Sequence, residues 1–301
     1  MNKDKRTSIF GVNSLFMIAA VFLIFLGTIA QRKSMWTGSI FVEIFIILIP
    51  SLLYVKFNEN SFSEVLKLNP LRIKDLILVI LITILLYPVA VFFQAIFIAI
   101  INLVKPIIPN QMPLPKNLFD FIKSIIVIAI VPGICEEIMF RGVILDGYKK
   151  IGYKHAIVIS SILFGLMHFT LANLIGPTIL GVAFAIMVYR TNSIYSSIIA
   201  HIINNSIAVL LGYLIETNEE ILDSILYMEN TVIIYMPFVI LAILFIVKML
   251  FERLGTDKYK YSIYEYDILE DNLGYGKLAY YSPVIVVIFL FIYINLMYVL
   301  I

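Results

Sequence analysis

This sequence predicts an all-α, polytopic transmembrane helical bundle of about nine spans, with eight as the alternative count and the N-terminus cytoplasmic. Three observations carry that prediction. Of 301 residues, 61% are hydrophobic and only 14% are charged, against about 45–50% and about 25% in a soluble domain. The mean hydropathy is +1.00. The apolar residues gather in runs close to the roughly 20 residues a helix needs to cross the hydrocarbon core.

The runs follow in order. Residues 9–30 come after a basic start (Lys3, Lys5, Arg6). They lack a small-residue cleavage site before Gln31, so they read as a retained anchor rather than a signal peptide. Runs at 38–55 and 76–103 come next, and then 122–145, which carries charge. Residues 156–189 contain no Asp, Glu, Lys or Arg. That is too long for one crossing, so spans at 156–171 and 174–190 are expected, with Asn173, Gly176 and Pro177 marking the turn. Spans at 194–215, 231–251 and 280–301 complete the set. The polar, tyrosine-rich stretch 255–278 reads as a loop.

Orientation follows from Lys and Arg. With the N-terminus cytoplasmic, the inner side receives Lys3, Lys5, Arg6, Lys56, Lys67, Arg72, Lys74, Lys149, Lys150, Lys154 and Arg190. It also receives Lys248, Arg253, Lys258, Lys260 and Lys277, whereas only Arg32, Lys33, Lys105, Lys116 and Lys123 fall outside. That asymmetry obeys the positive-inside rule. The acidic loop with Glu216, Glu219, Glu220, Asp223 and Glu229 falls outside, and the tyrosine-rich loop inside. Three blocks result: N-terminal spans 1–118, a central block 119–215, and C-terminal spans 216–301. The net charge of +2 and the lack of a basic run point away from nucleic acid. The single cysteine, Cys135, excludes an internal disulfide and any CxxC metal site.

The chemistry lies in the central block. Charge at membrane depth is costly and marks function by default, and the fourth run holds Glu136, Glu137 and Arg141. Glu137 and Arg141 are four apart, so they are neighbours in the favourable order of acid before base. Glu136 points about 140° away from Arg141 at about 100° per residue, free to face a cavity and act as a base. His201 and Asn205 share a face by the same spacing, within a polar stripe with Ser197 and Asn204. Phe164 and His168 repeat it, with Phe164 placed to pack under the imidazole, and Gly165 allows a close helix approach. At about 1.5 Å rise per residue, Glu136 and His201 lie about 13 and about 11 Å from the inner ends of their spans. His168 comes out deeper, at about 18 Å. Glu43, near the outer end of the second run, reads as an interface residue, with lining the cavity as the alternative.

A carboxylate, two imidazoles and a carboxamide suit water-mediated amide hydrolysis. Glu136 takes a proton from water, His201 and Asn205 donate to the oxyanion, and His168 orients the water. No metal is assigned. Glu136, His168 and His201 are the set that would hold zinc, although the HExxH arrangement is absent.

These ordered motifs, Glu136-Glu137-x-x-x-Arg141, Phe164-x-x-x-His168 and His201-x-x-x-Asn205, resemble the CPBP family. Its members are the CAAX proteases and bacteriocin-processing (Abi) intramembrane proteases, related to the type II CAAX prenyl endopeptidases. The resemblance covers about 120–215, including Asn192-Ser193-Ile194-Tyr195. It implies a multi-pass cell-membrane endopeptidase acting on a peptide or small membrane-associated protein: a CAAX-type, leader or exported peptide. It makes Glu136 the catalytic base, His168, His201 and Asn205 its partners, and Glu137, Arg141 and Phe164 supporting residues. It also makes zinc the one cofactor to test. Two other readings stay open: a non-catalytic scaffold regulating a membrane partner, and an ion-coupled transporter, which the lack of a repeat disfavours.

Overall fold

A computed structural model describes residues 7–103, 106, 114–218, 230–256 and 277–300. Most of the tyrosine-rich loop lies outside these residues, as do Glu219, Glu220, Asp223 and Glu229. The described residues form helices and connecting turns, with no strand among them.

The main helices are α1 (Ile9–Lys33), α2 (Met35–Phe57), α3 (Ile73–Asn102) and α4 (Leu118–Ile151). They continue as α5 (Tyr153–Leu166), α6 (Ile175–Thr191), α7 (Tyr195–Thr217), α8 (Asn230–Arg253) and α9 (Lys277–Leu300). Each expected run is thus a helix. Eight are long and apolar enough to cross a membrane, counting the short 3-10 turn Leu171–Asn173 with α6. The exception is α5, whose 14 residues reach only about 21 Å. This chain is a multi-pass membrane protein.

Two expectations in this region are corrected. The fifth run was expected to continue to 171, but α5 stops at Leu166 and His168 lies in the turn beyond it. Gly176 and Pro177 do not form the turn. They lie in the first turn of α6, where proline's missing N–H has no intrahelical partner to lose. The chain reverses instead over residues 167–174, with Phe169 at φ 51°, a left-handed conformation uncommon for a bulky residue. Irregular backbone at membrane depth survives only where protein buries it or a cavity hydrates it. Here Asn295 of α9 does part of that work. Its Oδ1 accepts from the Leu171 N–H at 2.9 Å, and its Nδ2 donates to the Phe169 carbonyl at 3.3 Å.

Four helical stretches widen to π geometry: Leu23–Gly27, Val42–Leu48, Ile125–Ile130 and Ile138–Ile144. The second and third end just before Pro50 and Pro132. Proline removes a backbone donor and crowds the carbonyl one turn back, which gives these two stretches a local cause.

One buried apolar cluster joins α1, α2, α4, α5 and α9, and a second joins α3, α6, α7 and α8. Helix α6 contributes to both, through Ala185 and Val188 on one side and Phe184 and Met187 on the other. Helices α1 and α9 are tied to α4 by polar contacts. Tyr148 donates to Asn13 at 2.6 Å, and Asn13 donates to the Tyr280 carbonyl at 2.8 Å. The outer surface is apolar, with Phe25, Ile73, Phe119 and Phe289 exposed, as expected of helices facing lipid.

Candidate active site

The adjacent acids of α4 meet different surroundings. The Glu137 side chain is fully buried and that of Glu136 is 19% exposed. Glu137 Oε1 accepts from Arg141 Nη1 at 3.0 Å, as the four-residue spacing predicts, even though the π stretch begins at Ile138. The same oxygen lies 2.9 Å from His201 Nδ1. A carboxylate has no proton to give, so His201 Nδ1 carries the hydrogen. That fixes the ring, and its Nε2 then faces Glu136 Oε2 at 3.8 Å. The Ser197 hydroxyl lies beside the Glu137 carboxylate as well.

Arg141 is enclosed by aromatic faces. Its guanidinium carbon lies 4.3 Å from the Phe164 ring centre and 5.6 Å from that of Phe184, distances at which a ring quadrupole attracts a cation. Gly181 makes the room: a Cβ there would sit 3.0 Å from Arg141 Nη2 and 3.1 Å from the Ser161 Cβ.

Phe164 serves both imidazoles. Its ring centre is 5.4 Å from His168 and 5.7 Å from His201, edge-on to each. Its backbone carbonyl also accepts from His168 Nδ1 at 3.1 Å. This leaves His168 Nε2 as the acceptor nitrogen, on a half-buried side chain. Gly165 permits the close approach expected of it: a Cβ there would lie 2.8 Å from the Leu174 carbonyl oxygen.

Asn205 is more committed than spacing implied. Its Nδ2 donates to the Ile128 carbonyl at 2.9 Å, and its Oδ1 accepts from Asn204 at 3.1 Å. Ile128 is four residues before Pro132, which has no N–H to return to that carbonyl. Asn205 thus caps the carbonyl four residues before the proline, through one of its two Nδ2 hydrogens. Gly133 lets α7 come close, since a Cβ there would be 2.6 Å from Ile202 Cγ1.

Sequence reasoning missed three contributors. Glu43 was read first as an interface residue, but its side chain is buried, 8% exposed, on the side of α2 that packs against the Glu136 segment of α4. The available signal was that Glu43 is the one acid in its apolar run. Phe184 lies 5.7 Å from the His201 ring, and Asn295 holds the loop after His168; neither has a distinguishing motif.

The zinc set fits poorly. Among the described residues, no three His, Cys, Asp or Glu side chains are grouped to hold a metal ion. No step is derived through a metal.

Residues 118–207 match the family described as "Type II CAAX prenyl endopeptidase Rce1-like". Over 88 residues the chain is 40% identical to the Bacillus subtilis (strain 168) protein named "Putative membrane peptidase YdiL". The central segment of this chain is thus similar to the type II CAAX prenyl endopeptidase-like proteins. The stretch shared with the Bacillus protein covers 29% of this chain and 36% of the relative's length. No solved structure gives a significant match. The matched segment runs from the start of α4 into α7, so the residues of all three motifs lie within it.

Proposed function

We propose that this protein is an intramembrane endopeptidase of the cell membrane that uses Glu136 as a general base and no metal. The observation that carries the reading is the partly exposed carboxylate of Glu136 facing the Nε2 of a histidine whose other nitrogen is fixed by buried Glu137. In this mechanism His168 Nε2 accepts a hydrogen from the attacking water, and Glu136 removes its proton. The hydroxide adds to the peptide carbonyl carbon. His201 and the second N–H of Asn205 donate to the oxyanion. Collapse breaks the C–N bond, and Glu136 returns its proton to the leaving amine.

The substrate is a peptide or a small membrane-associated protein, with CAAX-type, leader and exported peptides as the classes to test. The basic residues place the N-terminus in the cytoplasm. The test is reconstitution of the purified protein in liposomes with membrane-anchored peptides of each class, and mass spectrometry of the products. Cleavage by the wild type and not by Glu136→Gln supports the reading. Equal cleavage by both overturns it.

A further inference from the structure

The mechanism leaves one buried acid unused. Glu43 lies in the π stretch Val42–Leu48 of α2, which packs against the Val131–Glu137 segment of α4. Its buried carboxyl therefore lies on the side of α2 that faces Glu136, and its Oε2 is buried without a hydrogen-bond partner. Cys135, Glu136, Glu137, Arg141 and His201 are the titratable or charged groups around this contact. The cation among them, Arg141, is hydrogen-bonded to Glu137.

A hydrogen bond between two carboxyl groups needs a proton on one of them, because a carboxylate only accepts. Two facing carboxylates in a poorly solvated site cannot both ionise at ordinary cost. The surroundings decide which acid keeps the proton. Glu43 is enclosed, whereas Glu136 is 19% exposed and faces an imidazole. The charge therefore belongs on Glu136.

We propose that Glu43 is a positioning residue that stays protonated, donates a hydrogen bond to Glu136, and holds that carboxylate turned toward His201 and the reacting water. The pair then carries one negative charge, and the base keeps a fixed direction at membrane depth. The kinetic consequence rests on the peptidase reading; the shared proton does not.

The experiment has two arms. Infrared spectroscopy of the full chain in liposomes reads the proton directly. The wild type shows a protonated-carboxyl C=O band that is lost in Glu43→Gln and displaced in Glu136→Gln. An unchanged band in Glu43→Gln overturns the proposal. The second arm compares Glu43→Gln, which keeps an N–H donor, with Glu43→Leu, which has none, on a peptide the wild type cleaves. Glu43→Gln retains most of kcat. Glu43→Leu loses about tenfold or more with KM little changed. Equal kcat for Glu43→Leu and wild type contradicts the positioning role. Should Glu43→Leu fail to fold, the infrared arm decides on Glu43→Gln. If the wild type cleaves no peptide, the peptidase reading fails, and the infrared arm still decides whether Glu43 holds the proton.

Discussion

His201 Nδ1 lies 2.9 Å from Glu137 Oε1, and that same oxygen accepts from Arg141. The second acid of the motif therefore has two tasks. It neutralises a cation inside the bundle, and it sets which nitrogen of His201 faces Glu136. Removing either member of the buried pair leaves a charge stranded. Glu137→Gln or Arg141→Met should each cost about 3–5 kcal/mol of stability, read as earlier thermal unfolding in detergent. The double variant should lose much less than the sum, and an additive loss would mean that the two charges are not coupled.

Gly181→Ala tests the space around that cation. The added Cβ meets Arg141 Nη2 and Ser161, and neither can move freely among buried aromatic rings. The expected loss is about 1–3 kcal/mol. Replacing Gly212 gives a control, because a Cβ there meets only the end of the Leu114 side chain and should change unfolding little.

Asn205 and Pro132 form a second testable pair. Asn205→Ala removes the proposed oxyanion donor, so a loss of about 10²–10³ in kcat is expected, together with a small loss of stability. Pro132→Ala supplies an N–H to the helix beside Ile128. Combined with Asn205→Ala it should recover stability and leave kcat low. Recovery of both would assign Asn205 a structural role alone.

Much of this site is legible in the sequence because helical spacing is rigid. The four-residue intervals correctly pair Glu137 with Arg141 and place Phe164 against His168. What spacing cannot give is where a helix stops and what packs across it. The end of α5 at Leu166 depends on a turn supported by Asn295, more than 120 residues away in sequence. Glu43 was misplaced because its depth depends on which face α2 turns to α4, and the apolar run is nearly uniform. The contact of Asn205 with Ile128 joins a side chain to a backbone carbonyl freed by proline, which no residue pattern encodes.

Asn295 makes a prediction for the C-terminal helix, which lies outside the matched segment. Asn295→Leu removes the bonds to Phe169 and Leu171, so the turn after His168 loosens. The expected result is a several-fold lower kcat, with faster hydrogen exchange at the Leu171 amide. Unchanged exchange there would show that α9 does not hold the turn.

Metal chelation addresses the cofactor. Because no three His, Cys, Asp or Glu side chains among the described residues are grouped to hold a metal ion, full activity after chelator treatment and no stoichiometric zinc in the purified protein are expected. Loss of activity restored by zinc would replace the glutamate mechanism with a metal one.

The central claim is tested most directly by the kcat of Glu136→Gln on a membrane-anchored peptide that the wild type cleaves in liposomes. The substitution preserves size and leaves Glu137, Arg141 and His201 in place. The account predicts a drop of about 10²–10⁴-fold with the same unfolding temperature. Turnover equal to that of the wild type would show that Glu136 is not the base.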